Sequence, residues 1–266
     1  MTNFALGPCG RVAYDVAGAG TQPPLVFVHG WCCDRSHFEE QFAHFASDHQ
    51  VAALDLRGHG ESDAAVPGSG NYSVEALAHD VRAVTEDAGL HRPVLVGHSM
   101  GALVGLTLAQ PDTISALVMV DPASVTNEKA KTFFRESFSA VAADSDQSWR
   151  TAFVNGMFLP TDHVRREEII AALPRFSPEM AADMMLAMGE FDGVSALRKA
   201  AVPVLSIGSA SPTNSSADLR SVCPAISIGQ TVGSGHFIHL EVPDQVNSMI
   251  SRFLAVNDLR GRLPAQ

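Results

Sequence analysis

Basic side chains are scarce in this chain: 18 Lys and Arg stand against 29 Asp and Glu in 266 residues, a formal charge of -11. Such a surface repels phosphate backbones and anionic lipid headgroups, so nucleic-acid binding and membrane association are set aside. Long apolar runs are missing as well. Nowhere do about 18 apolar residues follow one another, and the opening MTNFALGPCGRVAYDVAG has no basic stretch leading into an apolar one. The expectation is a soluble, cytoplasmic protein. Cysteine is limited to Cys9, Cys32, Cys33 and Cys223. These are too few for a disulfide framework, and none has the CxxC spacing of a zinc or redox site, so no metal is expected. Repeats with a period of roughly 20 to 50 residues and low-complexity tracts are also lacking, which excludes solenoid and disordered architectures.

What remains is 46% hydrophobic and long enough for one domain around a single core. Short β-branched runs bounded by turn residues predict strands at Arg11 to Val16, Pro24 to Val28, Val51 to Leu56, Pro93 to Val96, Ile114 to Val120, Pro203 to Ile207 and Ala225 to Ile228. Helical spacing joins Val74, Leu77, Val81 and Val84, and again Val246, Met249, Ile250, Phe253 and Leu254. Strands as apolar as PVLVG and ALVMV need helices on both faces, so the expected fold class is α/β, a doubly wound and mostly parallel sheet. Ligands in such sheets bind beyond the carboxyl ends of the strands. From 123 to 199 no strand pattern occurs. That stretch reads as a helical insertion rich in phenylalanine and methionine, in which Met180, Met184 and Met188 share one helix face by their spacing. Most of these side chains are expected to pack the insertion and a few to line a pocket.

One motif carries chemistry in its context. Gly97-His98-Ser99-Met100-Gly101 stands directly after the strand PVLV and directly before the helical run ALVGLTLAQ. A GxSxG sequence between strand and helix describes a sharp turn that lifts the serine hydroxyl above the sheet, with glycines giving room on either side. The turn also sets the serine at the positive end of the next helix. His98 is expected to serve local packing. His29-Gly30 follows another strand, and Asp55-Leu56-Arg57-Gly58-His59-Gly60-Glu61-Ser62 follows the next; the second motif is read as structural.

With these motifs the chain resembles the α/β-hydrolase superfamily over nearly its whole length. The resemblance implies an α/β-hydrolase core at 1–122 and 200–266, with 123–199 inserted as a helical cap. It implies Ser99 as nucleophile and an oxyanion hole from the backbone N–H groups of Trp31 and Met100. It also places the catalytic histidine at His236, in Gly233-Ser234-Gly235-His236-Phe237 ahead of a helix opened by Pro243, with His239 second. The acid is less direct. The loop Gly208-Ser209-Ala210-Ser211-Pro212-Thr213-Asn214 carries no aspartate where many relatives have one, and Ser211 sits near the expected place. Asp121, at the end of the strand after the nucleophile and followed by Pro122, is the first substitute; Asp218 is the second, and an incomplete triad the third.

The resemblance implies a serine hydrolase, an esterase or lactonase, acting on a small ester or lactone through an acyl-enzyme, without a cofactor. Epoxide hydrolases and dehalogenases of this fold use aspartate where Ser99 stands. Three alternatives stay open: cofactor-independent oxygenation of a heterocyclic ring, to which His29-Gly30-Trp31-Cys32 and an acid at Asp121 are similar; C–C bond hydrolysis or perhydrolysis; and a ligand-binding relative without turnover.

Overall fold

Side chains that alternate between two apolar layers fix the centre of this molecule. In the computed structural model, which describes residues 2–162, 164–257 and 259, strands β1 (Asn3–Gly7), β2 (Gly10–Ala17), β3 (Gln22–Val28), β4 (His49–Leu54), β5 (Val94–His98), β6 (Ala116–Val120), β7 (Val204–Gly208) and β8 (Ser227–Gln230) form one sheet. Residue 163 of the expected insertion and residues 1, 258 and 260–266 of the expected core lie outside the described residues. The spatial order is β1-β2-β4-β3-β5-β6-β7-β8. β2 pairs antiparallel with β1 and β4, and every other pairing is parallel. Val26, Val28, Leu95, Leu117 and Met119 enter one buried layer, while Leu25, Phe27, Val96, Val118 and Val120 enter the other. A strand period of two divides each strand between the layers, so both faces must be covered.

The covering helices are those that the sequence pattern requires. On one side, Ser73 caps α2 (Val74–Asp87) by accepting from the Ala76 N–H, and Val74, Leu77, Val81 and Val84 turn inward. Beside it lies α3 (Met100–Thr107), whose MGALVGLT is buried almost throughout. On the other side, α1 (Glu39–Phe45) packs with α12 (Pro243–Val256), which Pro243 opens and which buries Val246, Ile250, Phe253 and Leu254.

β1 was not expected from sequence. Its only buried residue is Ala5, with Phe4 and Leu6 exposed, so it shows no apolar alternation. Its place is set by the tight antiparallel return that pairs Gly7 with Gly10. β8 begins two residues later than the pattern suggested, at Ser227, because Ile226 is buried ahead of the strand rather than within it.

Between β6 and β7 run α4 (Glu128–Glu136), α5 (Phe138–Ala142), α6 (Ser148–Asn155), α7 (Val164–Ala172), α8 (Pro178–Glu190) and α9 (Gly193–Lys199). No strand occurs there among the described residues. Ser177 caps α8 with Pro178 in its first turn, and α8 packs on α4 and α5. α9 lies apart from these, against α3 and against α10 (Ser216–Val222). Met180, Met184, Met185 and Met188 are all buried along α8. Arg150 is enclosed between the helices: its Nε donates to Asp144 Oδ2 at 2.8 Å and its Nη1 to the Phe176 carbonyl at 2.8 Å.

The turn after β4 is held by buried charge. Arg57 Nε donates to Asp80 Oδ2 at 2.9 Å and Nη2 to Oδ1 at 2.7 Å, which ties the turn to α2 with both side chains almost fully buried. Asp55 accepts from the N–H groups of Arg35 (2.8 Å) and Glu61 (2.9 Å) and pairs with the Arg35 guanidinium. Gly60, at φ 50, lies so close to Asp55 that a Cβ would collide with its carboxylate. Removing one partner of a buried pair strands the other without solvation, so Asp80→Ala is expected to lower unfolding free energy by about 3–5 kcal/mol. Urea unfolding measures this, and a loss under about 1 kcal/mol would contradict the account.

Candidate active site

The turn from β5 into α3 is strained where the sequence places its serine. Ser99 has φ 51 and ψ -113, and its N–H donates to the Val120 carbonyl at 3.0 Å while its own carbonyl accepts from Ala102 and Ala123. A positive φ on a serine costs energy and persists only where the surroundings impose it. Here the close packing of two glycines imposes it. A Cβ at Gly97 would collide with the Gly101 backbone, and one at Gly101 with the Val28 carbonyl. Met100 opens α3, so its N–H has no acceptor inside the helix.

Beyond β3, His29 stiffens the neighbouring loop. Its Nε2 accepts from the Leu56 N–H at 3.0 Å, so the proton of the neutral ring sits on Nδ1, which donates to the Gly30 carbonyl at 2.8 Å. Trp31 follows, and its N–H makes no backbone or side-chain hydrogen bond to another described residue. Its indole Nε1 donates to the Ala181 carbonyl on α8 at 2.8 Å, so the loop is fastened to the inserted helices. Cys32, next in sequence, has φ 52.

His236 lies in the loop between β8 and α11 (Ile238–Glu241). Glu241 accepts from the N–H groups of Gly235 (2.7 Å) and Phe237 (3.0 Å), and the His236 N–H donates to the Met157 carbonyl at 2.8 Å. The ring is therefore gripped from both sides of its own backbone. Its Nδ1 donates to Asp121 Oδ2 at 2.7 Å, which leaves the Nε2 lone pair free for a proton. Asp121 has φ 36 and is buried; its Oδ1 accepts from the Ser209 N–H at 2.8 Å, and its N–H donates to the Ile207 carbonyl at 2.7 Å.

Ser99, His236, Asp121 and Trp31 all line one cavity of about 470 Å³ beyond the carboxyl ends of the strands. The two lesser candidates lie elsewhere. Asp218 is exposed on α10, where its N–H meets the capping Ser215 hydroxyl, and it does not reach the cavity. His239 is fully buried behind the site, its ring 4.2 Å from that of His98. His98 does more than pack: it lines the cavity, and its Nε2 donates to the His236 carbonyl at 3.1 Å. Burial holds both of these histidines well below the ordinary histidine range. Glu241 and the Met157 carbonyl, which orient the His236 loop, were not anticipated from sequence. Neither stands in a recognisable motif. Of the insertion, Phe133, Phe134, Phe153, Met157, Phe158 and Met188 reach the cavity.

No three His, Cys, Asp or Glu side chains among the described residues are grouped to hold a metal, and no helix among them is long and apolar enough to cross a membrane.

The model of the Alpha/beta hydrolase family matches residues 25–249. The 3-oxoadipate enol-lactonase 2 of Acinetobacter baylyi is 25% identical over 248 residues, covering 89% of this chain and 90% of that protein. Human epoxide hydrolase 4 is 29% identical over 113 residues, which span 42% of this chain but only 31% of that protein. Among solved structures, a hydrolase from Pseudomonas aeruginosa superposes with a TM-score of 0.82 at 22% identity, covering 95% of this chain and 98% of that one.

Burial pushes His29 down to about 4 and His59 down to about 3. An unfolded chain takes up those protons near pH 6.5, so between that value and the depressed ones the unfolded state binds more protons and folding stability falls as pH falls. The contribution is intact above about pH 7 and is lost as pH falls toward 4, by about 2 kcal/mol per histidine at pH 5. Urea midpoints compared at pH 7.5 and pH 5 should fall accordingly, and equal midpoints would count against it.

Proposed function

Because the chain belongs to the alpha/beta hydrolase family, we propose that it is a serine hydrolase that cleaves a small carboxylic ester or lactone through an acyl-enzyme. The observation that carries this reading is the His236–Asp121 hydrogen bond beside Ser99 in a single cavity. In the proposed cycle His236 Nε2 takes the Ser99 hydroxyl proton as Oγ attacks the substrate carbonyl. The N–H groups of Trp31 and Met100, with the positive end of α3 behind the second, meet the developing oxyanion. The imidazolium is steadied by Asp121, whose second oxygen is already held by the Ser209 N–H, and it returns its proton to the departing alkoxide. Water deprotonated by the same histidine then frees the acid and restores Ser99.

The inserted residues 123–199 act in this reading as a cap over the core formed by 1–122 and 200–266. Helices α4, α6, α7 and α8 supply one wall of the cavity, and no cofactor takes part. A serine at the elbow favours acyl transfer over epoxide opening. The free cysteines Cys9, Cys32, Cys33 and Cys223 suit a reducing compartment, and a cytoplasmic location belongs to the proposal.

One observation favours a second reading. The Asp121–His236 pair beside Trp31 and Cys32 would also serve cofactor-independent oxygenation of a heterocyclic ring, which needs the dyad rather than the serine.

Short-chain p-nitrophenyl esters separate these readings. Ser99→Ala and His236→Ala are each expected to lose at least about 10⁴ of kcat. Asp121→Asn is expected to lose about 10⁴ with KM little changed, while Asp218→Ala stays near the parent. Near-native turnover by Asp121→Asn would remove the acid, and unchanged turnover without Ser99 would remove the acyl-enzyme. Oxygen uptake with a hydroxyquinolone that survives Ser99→Ala would establish the second reading.

A further inference from the structure

The cavity has two kinds of wall, and neither carries a Lys or Arg among the described residues. Phe133 and Phe134 from α4, Phe153 from α6 and Trp31 form the first, with the Phe133 and Phe153 rings 5.6 Å apart and stacked, and Trp31 edge-on to Phe153 at 5.8 Å. Phe158 and Phe237 stack at 4.8 Å beside His236. The second wall, from the loop after β7, presents the hydroxyls of Ser209, Ser211 and Thr213, which make no hydrogen bonds to other described residues. They occupy the side that stays neutral because the acid sits directly after β6 instead. Among the described residues no Lys or Arg lines the cavity, and the one carboxylate there is that of Asp121.

Three cations of the insertion lie close to the cavity without lining it. Lys131 pairs with Glu128 at 2.9 Å and Arg150 with Asp144 at 2.8 Å, while Arg166 gives Nη2 to the Leu159 carbonyl at 2.6 Å and lies over the Phe158 ring, its buried Nε without a partner among the described residues. A substrate carboxylate would enter this space without a counter-charge, at a heavy desolvation cost. A flat ring would instead meet aromatic edges and faces.

Resting on the serine-hydrolase reading above, we propose that the site selects uncharged esters whose acyl part carries an aromatic ring, held against Phe133, Phe134 and Phe153, and that it rejects acyl groups bearing a carboxylate. Phe134 and the neutral loop residue Ser211 are the specificity-determining side chains.

Three ethyl esters test this by proton release: ethyl 3-phenylpropanoate, ethyl hexanoate, and monoethyl adipate as an anion of the same acyl length as hexanoate. The phenylpropanoate should exceed hexanoate in kcat/KM by about tenfold, and hexanoate should exceed monoethyl adipate by at least about a hundredfold. Phe134→Leu should narrow the aromatic preference to about twofold. Ser211→Arg, at an exposed position that tolerates a long side chain, should raise kcat/KM for monoethyl adipate relative to ethyl hexanoate about tenfold. A fluorophosphonate probe on the parent and on Ser99→Ala keeps the two proposals apart. Labelling of Ser99 together with equal or better use of monoethyl adipate would overturn the substrate class alone. No labelling and no ester turnover would overturn the serine-hydrolase reading and this inference with it.

Discussion

A single buried carboxylate, that of Asp121, holds together three segments that are far apart in sequence. One oxygen accepts from the Ser209 N–H after β7 and the other from the His236 ring beyond β8, while its own backbone N–H reaches the Ile207 carbonyl on the neighbouring strand. A buried carboxylate is tolerable only when hydrogen bonds replace its water, and here they come from the two loops whose positions matter most. The sheet brings the end of β6 beside β7, and β7 beside β8, so parallel register alone delivers these partners. Were the carboxylate on the loop after β7, that loop would have to carry it into the cavity; with Asp121 directly after β6 the loop presents hydroxyls instead.

Much of this was legible in the chain because local rules govern it. Apolar strands followed by turn residues gave the parallel core, and the elbow announced itself because a serine between two glycines, with a strand before and a helix after, has few other uses. Asp121 could be named only as one of two carboxylates, since what separates it from Asp218 is distance in space. β1 escaped because an edge strand with one buried residue carries no pattern. The grip of Glu241 and of the Met157 carbonyl on the His236 loop escaped for another reason: a backbone carbonyl has no identity in a sequence, and a glutamate five residues past a histidine resembles any helical surface charge. His98 was read as local packing, yet it touches the one loop that a strand-to-helix motif cannot foresee.

Two of the hydrogen bonds by which the inserted helices meet the core bear on the loops beside Ser99. The Trp31 indole donates to Ala181 on α8, and the His236 N–H donates to Met157 after α6. Both acceptors are main-chain oxygens of the insertion, and both donors belong to the loops that flank Ser99. Each contact is insensitive to which side chain stands at 157 or 181, so residues around them are free to vary while the loops keep their supports.

That arrangement bears on how such a molecule diversifies. Exchanging the whole insertion for a foreign one would remove both supports at once and loosen the machinery beneath it, so wholesale modular swaps are a poor route to new selectivity. Point changes along the inner faces of α4 and α6 leave the two main-chain anchors in place. The cavity can therefore be reshaped one residue at a time while the loops beside Ser99 stay fastened to the backbone of the very segment that is changing.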